Sequence, residues 1–451
     1  MPQLAGRVIT PKDADYDEAR TVFAAVDRRP ALIARPASAE DVAAVIAHAR
    51  EHDLPLAVRS GGHSPAGHGV VDDGMVIDLS GMRRMELDPE RRVAWAEPGL
   101  TAGAYTAAAG TAGLATPFGD AGSVGIGGIA TAGGVGFLVR KHGLTIDDVL
   151  AAEVVTADGR RLRTDARTHP DLFWAIRGGG GNVGVVTRLK LRLHPVGPIL
   201  GGMLLLPATP EVLEGFVAEA EAAPDELSAI ANVMPAPPLP FVPVEHHGRP
   251  VVLALLAYAG DAGAGEHVVG RLRALATPIA DLVRPMAYPA LFEGGEPEAG
   301  QAAASRTLFT DRFDGAAAAA VVDAVERSTA PRAVAQLRVL GGAMARVPAA
   351  ATAFAHRDRR MMATIVAMYE RPEERADHEA WASALTEQLR HDDDGAYAGF
   401  LGDEGPDGVR AAYPGEHWDR LADVKAAYDR ENVFRLNQNV PPAGGTARLA
   451  A

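Results

Sequence analysis

The chain has 451 residues, 47% hydrophobic and 23% charged, with no cysteine and a formal net charge of −14. That length exceeds what one core organises and predicts two domains, while the ordinary apolar-to-charged balance excludes disorder. The acidic balance disfavours nucleic acid and an anionic membrane as partners, and the lack of cysteine excludes disulfides, thiolate metal sites, cysteine nucleophiles and a thioether link to a cofactor.

Met1 to Arg20 holds no basic run followed by an apolar core, so no secretory signal is expected. No uncharged apolar stretch reaches the roughly 18 residues of a membrane span, and a cytoplasmic location is the expectation. Asp15 to Val26 reads as a short helical opening. Ser38, three residues before Asp41, reads as a helix start. Val42, Val45, Ile46 and Ala49 then give the spacing of one buried helix face over Val42 to His52. Leu54 to Val58 is an apolar strand that delivers Arg59-Ser60-Gly61-Gly62-His63-Ser64. Met75 to Leu79 and Arg92 to Ala96 are further strands. The glycine loop lacks the G-x-G-x-x-G order and opens no long helix, which disfavours a nicotinamide-dinucleotide fold.

A second glycine-rich stretch runs from Gly119 to Gly136. Glu153 to Thr156, Asp158-Gly159 and Arg160 to Arg163 read as a hairpin, and Val183 to His194 alternates as a strand. Pro195 to Pro210 carries four prolines and three glycines and is the expected crossing between domains. Beyond it, strands at Leu204 to Leu206, Val251 to Tyr258 and Met361 to Met368 alternate with alanine-rich helices at Pro210 to Ala223, Gly265 to Leu275, Ala316 to Ser328 and Glu374 to Arg390. That pattern predicts a sheet covered by helices on one face, an α+β layer solution. Near the end, Asn437-Gln438-Asn439 sits in a strand-like segment. Three amides there are costly to bury without partners, and they read as the chain returning to a ligand.

Glycine has no Cβ, so N–H groups of Ser60 to Ser64 and Gly122 to Gly128 can approach pyrophosphate oxygens closely. Two such loops make paired backbone cradles for one large phosphate-bearing cofactor, and His63 among the glycines either holds that cofactor covalently or is a loop histidine that hydrogen-bonds backbone. Arg59 either adds charge there or pairs with a local carboxylate. His68 either lines the cofactor edge or caps the loop. Gln336 and Arg338 share one strand face and point to substrate or, as is usual, to solvent; His356 is a second candidate base, with surface placement the commoner fate. No H-E-x-x-H or facial-triad spacing is read among the 14 histidines, His246-His247 being an isolated pair, and no G-x-S-x-G or P-loop is present.

Six segments occur together in order: R-S-G-G-H-S at 59–64, V-G-I-G-G at 124–128, G-G-V-G-F-L at 133–138, K-H-G-L-T-I-D at 141–147, F-W-A-I-R-G-G-G-G-N-V-G-V-V-T at 173–187 and F-R-L-N-Q-N-V at 434–440. On these the chain resembles the berberine bridge enzyme-like flavoprotein oxidases of the vanillyl-alcohol-oxidase-type (PCMH-type FAD-binding) superfamily. The resemblance implies an FAD-binding domain over 1–195, a substrate domain over 196–405 whose antiparallel sheet roofs the flavin, and a C-terminal segment, 406–451, returning to the first domain. It implies FAD joined through its 8α-methyl group to His63. Ala121 stands where many relatives have a second, cysteine anchor, so a singly linked flavin is expected.

The implied cofactor-binding set is Arg59, Ser60, Gly61, Gly62, His63, Ser64 and His68 from the first loop, Gly119, Asp120, Gly122, Ser123, Val124, Gly127, Gly128 and Gly134 from the second, and Val186, Asn437 and Asn439. Tyr397 matches a family tyrosine that faces the flavin and is the candidate proton acceptor, with Gly399 where the family usually has asparagine. Valine at 124 goes with oxidases, which implies O2 as acceptor and hydrogen peroxide as product. The substrate expected is a small alcohol or amine, with a carbohydrate as the alternative. A dehydrogenase using another acceptor and a flavin-binding protein without turnover are the remaining readings.

Overall fold

The computed structural model describes residues 4–293, 300–391 and 395–444. It opens on a mixed sheet of β1 (Arg7–Ile9), β2 (Leu32–Arg35), β3 (Leu56–Arg59) and β4 (Met75–Asp78), ordered β1-β2-β4-β3. β2 and β3 run parallel to β4. The helical opening is shorter than expected: α1 (Tyr16–Arg20) ends where Thr21 turns extended at ψ 136°. Val22 then buries with Ile9 and Ile33 under the sheet. α2 (Ala39–Glu51) starts as expected, with the Ser38 hydroxyl accepting from the Asp41 N–H, and buries Val42, Val45, Ile46 and Ala49.

The second sheet is antiparallel: β5 (Met85–Asp88), β6 (Val93–Ala96), β7 (Val149–Val155), β8 (Arg161–Asp165) and β9 (Val185–Arg192), ordered β5-β6-β9-β7-β8. The β7–β8 hairpin turns at Gly159, whose φ is +80°. Between these strands lie α3 (Ile126–Ala132) and α4 (Val139–His142).

The third sheet has eight strands. Its long members are β10 (Ile199–Pro207), β11 (Leu227–Pro235), β12 (Pro250–Tyr258), β13 (Ala302–Thr310), β14 (Arg332–Val339) and β15 (Met361–Tyr369), ordered β10-β12-β11-β14-β15-β13. Two short strands, Ala280–Asp281 and Arg284–Met286, pair with β10 at the edge. α5 (Pro210–Ala222), α6 (Ala262–Arg273), α7 (Gly315–Arg327) and α8 (Arg375–Leu389) cover one face. Their apolar stripes meet Ala231, Leu337 and Ala363 from the strands. The alternate residues, Asn232, Gln336 and Arg338, therefore face the other way, towards the N-terminal half.

The expected crossing at Pro195 to Pro210 is instead mostly β10. Gly202 is there because a Cβ would meet the Leu282 carbonyl oxygen at 2.4 Å where the short edge strand passes. After α8 the chain rejoins the first half earlier than residue 406: Ala396 and Leu401 already lie in the core of the second sheet. α9 (Gly405–Ala412) and α10 (Glu416–Tyr428) follow and add Val409, Tyr413, Leu421 and Val424 to that core. The strand expected around Asn432 to Asn439 does not form. Asp429 accepts from the Val433 and Phe434 N–H groups instead, bending the segment into turns. No described helix is long and apolar enough to cross a membrane.

Candidate active site

The two glycine loops meet backbone to backbone. A Cβ on Gly61 would lie 2.3 Å from the Gly125 nitrogen, and one on Gly125 would lie 2.1 Å from the Ser60 hydroxyl. No other residue fits that contact. Gly62, at φ +73°, turns the first loop away from β3, and its carbonyl accepts from the Phe23 N–H.

The loops bound a cavity of about 440 Å³, within the range of small-molecule sites. Its remaining walls are the turn Gly179–Asn182, the C-terminal segment around Leu436–Gln438, and Tyr397–Phe400. Of the expected set, Arg59, Ser60, Gly61, Gly62, His63, Ser64, His68, Gly119, Asp120, Val124, Gly127, Gly128, Val186, Asn437 and Tyr397 line it. Gly122, Ser123, Gly134 and Asn439 are not on its wall. Gly122 accepts from the Gly103 N–H, and the Gly134 N–H donates to the Tyr397 hydroxyl at 2.8 Å.

The His63 ring stacks on Phe23, with centroids 4.9 Å apart. Burial pushes the His68 imidazole down to about 4, with nearby Arg28 adding to the shift, so it is neutral near pH 7. Arg59 lines the cavity but spends its guanidinium elsewhere, on Asp78 at 2.9 Å and on the Ala19 carbonyl. Of the two readings left open by the sequence, the structure places it in the local ion pair. Burial pushes the Asp78 carboxyl up, but Arg59, Arg35 and the Ser80 N–H together hold it below the usual carboxylate range.

Arg338 and His356 are not at the surface. Arg338 is 4% exposed and donates to Asp120 at 2.8 Å and to Gln336 at 2.7 Å. Gln336 in turn donates to Asn232. This chain turns the Asp120 carboxylate towards the sheet, so Asp120 reaches the cavity already paired. His356 is buried against Phe309 and hydrogen-bonds the Ala411 carbonyl at 3.0 Å, which sets it in the core and away from the cavity wall.

Tyr397 is packed between two glycines: a Cβ on Gly133 or Gly399 would strike its ring at 2.7 or 2.8 Å. Gly399 thus makes room for the phenol rather than supplying a hydrogen bond. Burial pushes the Tyr397 hydroxyl up to about 12, against the opposing pull of the Gly134 N–H and Arg338. Several wall residues carried no motif signal, Phe23 and Tyr413 among them; an isolated aromatic in a loop offers nothing to read.

FAD fits these residues. The wall offers backbone approach at Gly128, where a Cβ would meet nothing within 4 Å. Asn437 donates to the Phe434 carbonyl, while its own oxygen is buried with no partner. A buried acceptor without a donor is costly, and a donor group on a bound flavin satisfies it.

Comparison with known proteins agrees with this geometry. Residues 30–165 match the "FAD binding domain" family model and residues 396–441 the "Berberine and berberine like" model. The (R)-6-hydroxynicotine oxidase of Paenarthrobacter nicotinovorans is 30% identical over 98% of both chains. The crystal structure of 6-hydroxy-D-nicotine oxidase from Arthrobacter nicotinovorans superposes with a TM-score of 0.86 at 27% identity, covering 97% of this chain and 98% of that one. The structure of glucooligosaccharide oxidase from Acremonium strictum, named for its 6-S-cysteinyl, 8α-N1-histidyl FAD, superposes at 0.84 and 22% identity over 98% of each chain. The chain therefore belongs to the berberine bridge enzyme-like FAD-linked oxidoreductases.

Proposed function

We propose that this FAD-linked oxidoreductase is an oxidase that removes a hydride from a C–O or C–N centre of a small organic substrate, with His63 as its covalent flavin anchor and O2 as electron acceptor. The observation that carries this reading is that His63, Val124 and Tyr397 stand on the walls of one cavity. Bound FAD supplies the hydride acceptor. The protein supplies a phosphate cradle at the glycine loops and a histidine on the same loop.

Tyr397 holds its phenol at a fixed position by accepting from the Gly134 N–H, and the phenolate it forms as the pH rises is the base for the proton that leaves with the hydride. Asp120 lines the cavity with its charge already met from behind by Arg338. The relative named for 6-hydroxynicotine supports an amine as the first substrate to try.

Acid precipitation followed by intact-mass measurement tests the anchor. Colour and flavin mass stay with the wild-type polypeptide and leave with His63→Ala. A peroxide assay across cyclic amines and alcohols tests the oxidase reading, and anaerobically reduced protein that stays bleached in air overturns it.

A further inference from the structure

The last turn of α2 carries a group that the flavin site does not use. His48 and His52 are four residues apart, hence on one helix face, and Glu51 stands between them. The candidate ligand atoms of all three lie within 4.8 Å of one another. In sequence this is H-x-x-E-H, a spacing distinct from H-E-x-x-H and from the facial triad.

The histidines are already arranged as ligands. The two rings are tilted against each other with centroids 4.1 Å apart. His52 Nδ1 lies 2.9 Å from the His48 carbonyl oxygen. Donation to that oxygen fixes the tautomer and leaves Nε2 as the lone-pair nitrogen, the outer-shell device by which proteins orient metal-binding histidines. Arg50, the intervening cation, is drawn off to the Ala157 carbonyl and to Glu431 at 2.8 Å. His48 is half-buried, whereas Glu51 and His52 are exposed and open to an arriving ion.

We propose that His48, Glu51 and His52 bind one divalent transition metal of the zinc class. Two imidazole nitrogens and one carboxylate oxygen are the donor set such ions take, and a fourth position remains for water. The metal ties the final helical turn to the residue that ends it. It thereby braces the connection from α2 into β3 and the glycine loop beyond. None of the three residues touches the cavity wall, so the metal acts on stability and leaves flavin chemistry alone.

The test uses chelator-treated, flavin-loaded protein titrated with zinc chloride in a non-coordinating buffer, followed by calorimetry and by thermal unfolding. The expected result is one equivalent bound, a rise in unfolding temperature, and an unchanged flavin spectrum. His52→Asn and His48→Gln each weaken binding on the order of tenfold or more, while a His246→Asn, His247→Asn double variant binds as wild type. Absence of saturable binding at micromolar zinc overturns the proposal. Undiminished binding in both His48→Gln and His52→Asn, or loss of binding in the His246/His247 variant, overturns it equally.

Discussion

At the scale of single residues, the decisive setting is that of Tyr397. Its hydroxyl accepts from Gly134 and is pushed up to about 12 by burial, so it is a neutral phenol across the physiological range. Taking a proton then becomes easier as the pH rises. We expect the rate of flavin reduction in single-turnover experiments to climb with pH without levelling near neutrality. Tyr397→Phe slows that step by about 10²-fold, the lower end for a lost general base, and flattens the profile; an unchanged rate removes Tyr397 from the chemistry. Arg59 makes the opposite lesson. Its position at the end of a strand and the start of a glycine motif leaves both a charge for the cofactor and a local carboxylate pair open, and the fold decides for the pair, because the β3–β4 register aligns Arg59 with Asp78. Arg59→Met leaves the buried Asp78 carboxylate with only Arg35 and the Ser80 N–H and costs about 1–3 kcal/mol in denaturant unfolding. Since Asp78 is held below its ordinary value of 3.8, the wild-type contribution is complete above that value and fades as the pH falls through the folded-state value. Arg59→Met should show a weaker acid dependence.

At the scale of elements, α10 holds the cavity's far wall. Lys425, fully buried, donates to the Asn182 carbonyl at 2.9 Å and the Phe434 carbonyl at 2.8 Å, and pairs with Asp429 at 3.2 Å. Asn182 and Phe434 belong to two separate stretches of the cavity lining, and one ammonium joins them. Burial brings Lys425 down from 10.5 to about 8 despite Asp429. Between those values the unfolded chain keeps a proton that the folded one has released, so this site's contribution to stability grows with pH across that window. Lys425→Met removes that slope, costs about 3–5 kcal/mol at neutral pH, and loosens flavin retention, read by fluorescence of released flavin after mild heating. The four covering helices and the strands at 250–258 and 361–369 were legible because each carries its own periodicity, whereas the strands at 227–235 and 302–310 were not read. The irregular pieces were not legible either. Pro195 to Pro210, apart from its apolar run Leu204 to Leu206, reads as a crossing because Gly202 serves an edge segment at Leu282 that lies far along the chain. The amides at 437–439 looked like a strand because nothing local announces that Asp429 will bend them. Nothing in the sequence marks Lys425 out; its burial is decided by the stretches holding Asn182 and Phe434, which fold over it.

At the scale of the whole molecule, the halves are joined by arginines that cross between them out of contact with water. Arg140 in α4 caps the carboxyl end of α5 by donating to the Ala220 and Ala223 carbonyls. Arg357 makes a two-pronged pair with Asp147, both distances 2.8 Å, and Arg338 reaches Asp120. Arg357→Met should cost about 3–5 kcal/mol and turn one cooperative unfolding transition into two, resolved by comparing flavin fluorescence with far-ultraviolet dichroism; coincident transitions in the variant contradict this. The sequence does not announce these seams, since an arginine's partner about two hundred positions away leaves no local mark. The seams also limit how the enzyme handles its guests. Swinging the halves apart would strip three guanidinium groups of their partners at once, a change too costly to repeat on every turnover. Whatever is oxidised must therefore arrive through an aperture of set dimensions, so selection by girth acts ahead of any selection by affinity.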